Sequence, residues 1–437
     1  MQITFKQIPK YLLYTLVFLL PWQTIFIVRE VFYGGEKWQY GTIGIYLVDI
    51  IIILWILLTL FIYHKNIKHY VLEKKYLTIS MLSIVLWSFL SSLWASDTVL
   101  SIYFSILLFF GFIIFVFVQT TKFSLRTIAN IFIISTALQS IIGTIQFLTQ
   151  KTFSQKILGL QYHNIWSGGN AVITNTTGRW LRDYGAMPHP NIFGILLVCA
   201  ILLSIGLYVS TDNKKYLIKF LYLISIGLFT TNLLFTFSRT SWILLIIGIM
   251  PIMFITYRSS LCHIKNILAP LLLIIGIVSA IIIVLPNLFF TRITQDSLPT
   301  HNSIEDRTLY INQSLTEIKN HPLIGTGIGN YTNTVAQTNQ HDQPIWFYQP
   351  VHNVYILIMT ELGVIGLILF AIFFFFFFKE IIVNKKEYVF LQKIFLIITM
   401  LFFLLSFTDH MLWTSHFGIL LFFLFAGLSQ TKILPTK

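Results

Sequence analysis

The chain has 437 residues, 56% of them apolar and only 10% charged, with 41 Phe and 20 Tyr. About a quarter of a soluble domain is charged, so this composition excludes a water-covered globular surface and requires lipid as the main solvent. The formal net charge of +13 does not argue for nucleic acid, because the basic residues lie between apolar runs, where bilayer orientation needs them.

Runs of ~18 or more apolar residues predict spanning helices, whose backbone groups bond internally in hydrocarbon. In chain order they fall near 11–28, 43–63, 76–94, 98–118, 126–148, 190–209, 216–235, 239–257, 267–290, 352–378, 388–408 and 412–428, about twelve in all. Lys6 and Lys10 ahead of the first run resemble a signal peptide. No small-residue cleavage site follows, so that run reads as the first span. Cys199 falls in an apolar run and Cys262 in a basic turn, which suggests neither disulfide nor metal site. The run Phe373 to Phe378 reads as a lipid-facing stretch. The expected fold is an all-α polytopic membrane protein, one transmembrane domain over 1–437.

With both termini cytoplasmic, the inner connections collect most of the 29 Lys and Arg residues. Of the lysines, only Lys37, Lys151, Lys156 and Lys319 lie outside; of the arginines, Arg29, Arg179, Arg182, Arg239, Arg292 and Arg307 do. Inner lysine is ordinary topology. Outer arginine runs against the rule, and guanidinium is the better fork for phosphate oxygens. Surface salt bridging explains any single one; the set suggests an outer anion site. Both long loops, 149–188 and 291–351, are extracytoplasmic, and the second far exceeds ordinary connection lengths. No Walker-type phosphate loop is present.

The second loop has internal order. Asn302 or Ser303 caps a predicted helix over 304–320, with Asp306 three residues after Ser303. Ile304, Thr308, Ile311, Leu315 and Ile318 form its apolar stripe, Arg307 lies in its first turn, and His321-Pro322 ends it. Gly325-Thr-Gly327-Ile-Gly329 fails as a dinucleotide fingerprint, having no βαβ unit around it, and reads as a turn where backbone passes close to a neighbour. The loop ends at Pro350-Val351-His352-Asn353. A lone histidine where a helix enters the membrane is commonly an interfacial anchor, but imidazole also suits proton removal from a hydroxyl. Glu361 lies about 13 Å deeper on an ideal helix and on the opposite face, so it should not pair with His352. A structural hydrogen bond and a functional role are equally open to it. Arg239, after Phe237-Ser238, opens a span, where a charge needs a partner or a water-filled cavity. The first loop adds Arg179, Arg182 and Pro188-His189-Pro190-Asn191. Arg179, Arg182, Arg239, Arg307 and His352 fall at one membrane level, an arrangement suited to a lipid-linked diphosphate. Asp409 and His410 share an outer turn whose plainer account is exposure.

These pieces resemble the O-antigen ligase and Wzy-type polymerase superfamily of bacterial polysaccharide assembly. The similarity runs through Pro188-His189-Pro190-Asn191, Phe237-Ser238-Arg239, and Asp306-Arg307 with His321-Pro322-Leu323-Ile324-Gly325 to Asn330. It continues in His352-Asn353-Val354-Tyr355 and Glu361-Leu362-Gly363-Val364-Ile365-Gly366. Coverage is good from about 185 to 370; the first five helices match only in hydropathy. The resemblance implies a GT-C-like, metal-independent, inverting glycosyltransferase of the bacterial inner membrane, with no cofactor. Its donor would be a glycan on undecaprenyl diphosphate and its acceptor a glycan, lipid A core or protein hydroxyl. On that view His352 is the base, Arg239 and Arg307 hold the diphosphate, and Arg179, Arg182, Asn353 and Asn191 line the substrate. A flippase of lipid-linked sugar would show mid-membrane charges, broken helices and two similar halves. A peptidoglycan polymerase of the SEDS type would need an acidic base, for which Asp306 is the candidate.

Overall fold

The computed structural model describes residues 4–33, 35–175, 178–259, 265–294, 303–338, 347–384 and 388–431. Asn302, His301, His341, Cys262, Lys385 and Lys386 lie outside the described residues, as does the 385–387 part of an inner connection.

Helix α1 (Ile8–Leu19) opens the chain and is followed by strands β1 (Ile25–Arg29), β2 (Phe32–Tyr33), β3 (Glu36–Lys37) and β4 (Ile43–Tyr46). Then come α2 (Leu47–Glu73), α3 (Lys75–Ser91), α4 (Thr98–Val118) and α5 (Leu125–Thr149). A hairpin of β5 (Val172–Asn175) and β6 (Gly178–Leu181) precedes α6 (Pro190–Val209), α7 (Tyr216–Phe235), α8 (Arg239–Arg258), α9 (Lys265–Val284) and α10 (Pro286–Thr294). The remainder is α11 (Ser303–Asn320), α12 (Tyr331–Thr338), α13 (Val354–Asn384), α14 (Phe390–Leu405), α15 (Met411–Thr414) and α16 (His416–Gln430).

Eight of these helices are long and apolar enough to cross a membrane: α2, α4, α5, α6, α7, α8, α9 and α13. The expected spans at 76–94, 388–408 and 412–428 fall on α3, α14 and α16, apolar helices of 17, 16 and 15 residues. The expected first span, 11–28, is corrected. Its helix stops at Leu19, and after Pro21 the chain turns extended as β1, which pairs antiparallel with β4. Pro21 supports no continuing ladder, and the β-branched alternation that follows favours a strand. The all-α expectation is refined accordingly, since β1–β4, β2–β3 and β5–β6 form three small two-stranded sheets among the connections.

Helix α6 sits at the centre. Its apolar residues run all round it, and 94% of its span is buried, as such a helix requires. It packs on α7, α8, α5 and α14, while α9, only 17% buried, lies at the periphery. The phenylalanine run is divided between two environments. Phe375 faces outward at 64% exposure, but Phe373 and Phe377 are buried against Phe403, Phe374 and Phe115. The lipid-facing reading of the run fails because a 3.6-residue repeat cannot turn six consecutive side chains to one side.

Helix α13 breaks once, at Gly363, with φ of 69° and ψ of −172°. The segment after α11 fills the break. The amides of Thr326 and Gly327 donate to the Thr360 and Glu361 carbonyls at 3.0 and 2.8 Å, and the Val364 amide donates to Pro322 at 2.9 Å. Backbone groups freed inside an apolar helix are thus satisfied by protein. The glycines make the approach possible: a Cβ on Gly325 would lie 2.4 Å from the Glu361 carbonyl, and one on Gly363 2.1 Å from the Leu323 carbonyl.

Candidate active site

The end of α7 sets the site's framework. Phe237, in the turn between α7 and α8, has a φ of 48°, which costs about 1–3 kcal/mol for a residue with a side chain. Its buried ring, 5.0 Å from Phe289 and 6.2 Å from Phe147, offsets that strain. The turn places Arg239 as the first residue of α8. Arg182 Nε donates to the Thr236 carbonyl at 2.7 Å and Arg182 Nη2 to Asn191 Oδ1 at 2.7 Å. Arg292, on α10, donates from Nε to the Phe237 carbonyl at 2.9 Å.

These arginines repel one another. Burial lowers the proton affinity of Arg182, and the Arg292 and Arg239 charges lower it further. Arg292 is pushed down to about 10 by burial and then by Arg239 and Arg307. No described carboxylate forms an ion pair with Arg182, Arg239, Arg292 or Arg307. Such a cluster is costly unless an anion neutralises it.

Three histidines adjoin it. The His352 ring stacks against Tyr310 of α11 at 6.1 Å and meets His410 edge-on at 4.9 Å. His352 Nδ1 is buried and makes no hydrogen bond among the described residues. Burial lowers the proton affinity of His352 and Arg307 adds to the effect, while Asp409 opposes it. Enclosure pushes His189 and His410 down to about 3, with Arg182 acting also on the first and His352 on the second. His189 Nδ1 accepts from the Asn191 amide at 3.1 Å, which caps α6 and leaves Nε2 to carry the proton of the neutral ring. Burial works against ionisation of Asp409, yet His410, His352 and His189 hold its carboxyl below the ordinary range.

A cavity of about 1330 Å³ opens beside this group, walled by His189, Asn191, His352, Asp409 and His410 at one end. Farther along, its wall includes Tyr46, His163, Tyr184, His416 and the apolar strand β1. The geometry offers an imidazole beside a carboxylate at the wall of a space large enough for two substrates, near guanidiniums that have no carboxylate partner among the described residues. Residues 223–371, about a third of the chain, match the sequence family described as O-antigen ligase. That segment is similar to the O-antigen ligase family. Among curated proteins, none matches the chain.

The segment matched to that family supplies Arg239, Arg292, Arg307 and His352, while Arg182, His189, Asn191, Asp409 and His410 come from outside it. Of the residues singled out from the sequence, Arg182, Arg239, Arg307, Asn191 and His352 fall into this one neighbourhood. Arg179 pairs with Thr174 across the β5–β6 hairpin, apart from the cluster among the described contacts. Asn353 faces the start of α13, its Oδ1 accepting from the Tyr355 and Ile356 amides at 3.0 Å each. Arg29 leaves the outer anion set. It grips Asp97 at 3.0 and 2.7 Å, a pair 68 residues apart in sequence. Glu361 does not pair with His352 but accepts from Trp413 Nε1 at 2.8 Å. The glycine segment, read from the sequence as a turn where backbone passes close to a neighbour, does so at the break in α13. Asp409 is buried, at 7% exposure, and not on an exposed turn. Sequence reading underweighted Asp409, His410 and Arg292; an acid and a histidine side by side in a short turn between two apolar runs were the available signal for the first two.

Proposed function

We propose that the segment similar to the O-antigen ligase family and its flanking helices form a membrane glycosyltransferase. It moves a glycan from undecaprenyl diphosphate to an acceptor hydroxyl at the outer face of the bacterial cytoplasmic membrane, as a ligase or polymerase. On this reading the apolar helices cross the bilayer in a GT-C-like arrangement, both termini are cytoplasmic, and the loops at 149–188 and 291–351 are outside. The observation that carries it is the convergence of His352 with Arg182, Arg239, Arg292 and Arg307, arginines that have no carboxylate partner among the described residues.

His352 is neutral at neutral pH and so starts as a proton acceptor. It takes the acceptor proton as the hydroxyl oxygen attacks the anomeric carbon opposite the diphosphate, which inverts that carbon. The bond from that carbon to the diphosphate oxygen breaks, and the lipid diphosphate leaves as an anion that needs no proton. Arg239 and Arg307 hold it, with the charges of Arg182 and Arg292 adding to the field, in a low-dielectric place where such stabilisation is largest. Asp409 stabilises the imidazolium that forms. No metal ion takes part in this scheme. Purified protein in proteoliposomes, given an undecaprenyl-diphosphate glycan and an acceptor, is expected to form a product with inverted linkage. Translocation of the donor without any new glycosidic bond would refute the proposal.

A further inference from the structure

Three consecutive carbonyls at the end of α7 are bonded from two segments, the first two from Arg182-Asp183 and the third from α10. Phe235 accepts from the Asp183 amide at 3.0 Å, Thr236 from Arg182 Nε at 2.7 Å, and Phe237 from Arg292 Nε at 2.9 Å. A helix end leaves such carbonyls without partners and carries the negative end of the dipole, so guanidinium donors suit it. The bonds hold the Phe237 turn, and Arg239 begins α8 two residues later. Arg182 is also the bridge to α6, through Nη2 on Asn191 Oδ1 at 2.7 Å.

A guanidinium grips a phosphate through two neighbouring nitrogens, either Nε with Nη2 or Nη1 with Nη2. In Arg182 both Nε and Nη2 already donate within the protein, which takes up the Nε–Nη2 fork. Arg182 is buried, with the whole residue 6% exposed, whereas Arg239, Arg292 and Arg307 are half-buried; none of the four lines the cavity, but Asn191, the partner of Arg182, does. We propose that Arg182 is a positioning residue: it sets the Phe235–Phe237 turn against α6 and so places Arg239, rather than ligating phosphate itself. This rests on the reading that Arg239 holds the donor's diphosphate.

The test measures donor KM and kcat in proteoliposomes for Arg182→Gln, Arg182→Lys, Arg239→Gln and the double variant Arg182→Gln/Arg239→Gln. Arg182→Gln is expected to raise donor KM about tenfold, and that effect should vanish when Arg239 is already Gln. Arg182→Lys keeps the charge but not the two-point bridge, so it should behave like Arg182→Gln. Losses that multiply in the double variant, or full recovery in Arg182→Lys, would overturn the inference and make Arg182 a direct charge on the anion. Should the Arg182 variants fail to fold, Asn191→Ala cuts the other end of the bridge. Its rise in KM must likewise disappear in the Arg239→Gln background. An unchanged KM and kcat in Arg239→Gln alone would instead bring down the underlying anion reading, and the positioning role with it.

Discussion

His352 stands between opposing influences, Arg307 lowering its proton affinity and Asp409 raising it, within an enclosure that favours the neutral ring. Replacing it by Ala should lower transfer by ~10²–10⁴-fold, the usual share of a general base, while donor binding stays intact; a transfer assay paired with a donor-binding assay checks both. The other two rings make a separate prediction. His189 and His410 titrate at about 3 in the folded protein against an ordinary 6.5. Below about pH 6.5 the unfolded chain therefore takes up protons that the folded chain refuses. Stability should be level above that pH and fall steadily as pH drops towards 3. Asp409, held below its ordinary 3.8, adds a further loss as pH falls through its folded value. Thermal unfolding in detergent at several pH values reads the slope. At this scale the sequence makes Arg239, Arg307 and His352 visible, because charge beside hydrocarbon is itself an anomaly. It could not reveal that Arg29 is claimed by Asp97, or that Asp409 is buried, since both depend on segments far apart in the chain.

The break in α13 shows what hydropathy misses at the level of elements. The run from Val354 to Val383 has a mean hydropathy of 2.6 in its most apolar window, and such an average passes over one glycine. Yet Gly363 has a φ of 69°, and the Leu323 carbonyl occupies the place of its Cβ. Gly363→Ala should cost at least about 1–3 kcal/mol from backbone strain alone, with steric displacement of 322–325 added, and should appear as a lowered Tm in detergent. The amphipathic stripe over 304–320, by contrast, is a strong local pattern, and α11 occupies Ser303–Asn320. At 11–28 apolarity was a poor guide, because it does not distinguish a spanning helix from a short helix followed by a strand. Glu361 shows the same limit. Its depth was legible, but its partner Trp413 lies 52 residues away.

Across the whole molecule, the α6 core joins two charged contributions. The segment similar to the O-antigen ligase family brings His352, Arg239, Arg292 and Arg307, and the loop before α6 and the turn before α15 bring Arg182, His189, Asp409 and His410. An unneutralised cationic cluster should bind anions, and ligand binding to the folded state alone raises stability by RT ln(1 + [L]/Kd). Pyrophosphate at 100 times its Kd is thus expected to add about 2.7 kcal/mol to the wild type, and less to Arg307→Ala, as followed by thermal unfolding. The central claim is that this cluster holds a diphosphate while His352 removes a proton. Its most direct test is glycan transfer and donor binding in reconstituted membranes with an undecaprenyl-diphosphate donor, comparing wild type, His352→Ala and Arg239→Ala at matched folded protein. The account predicts that both variants lose transfer and that Arg239→Ala alone loses donor affinity. Full transfer by both would contradict it.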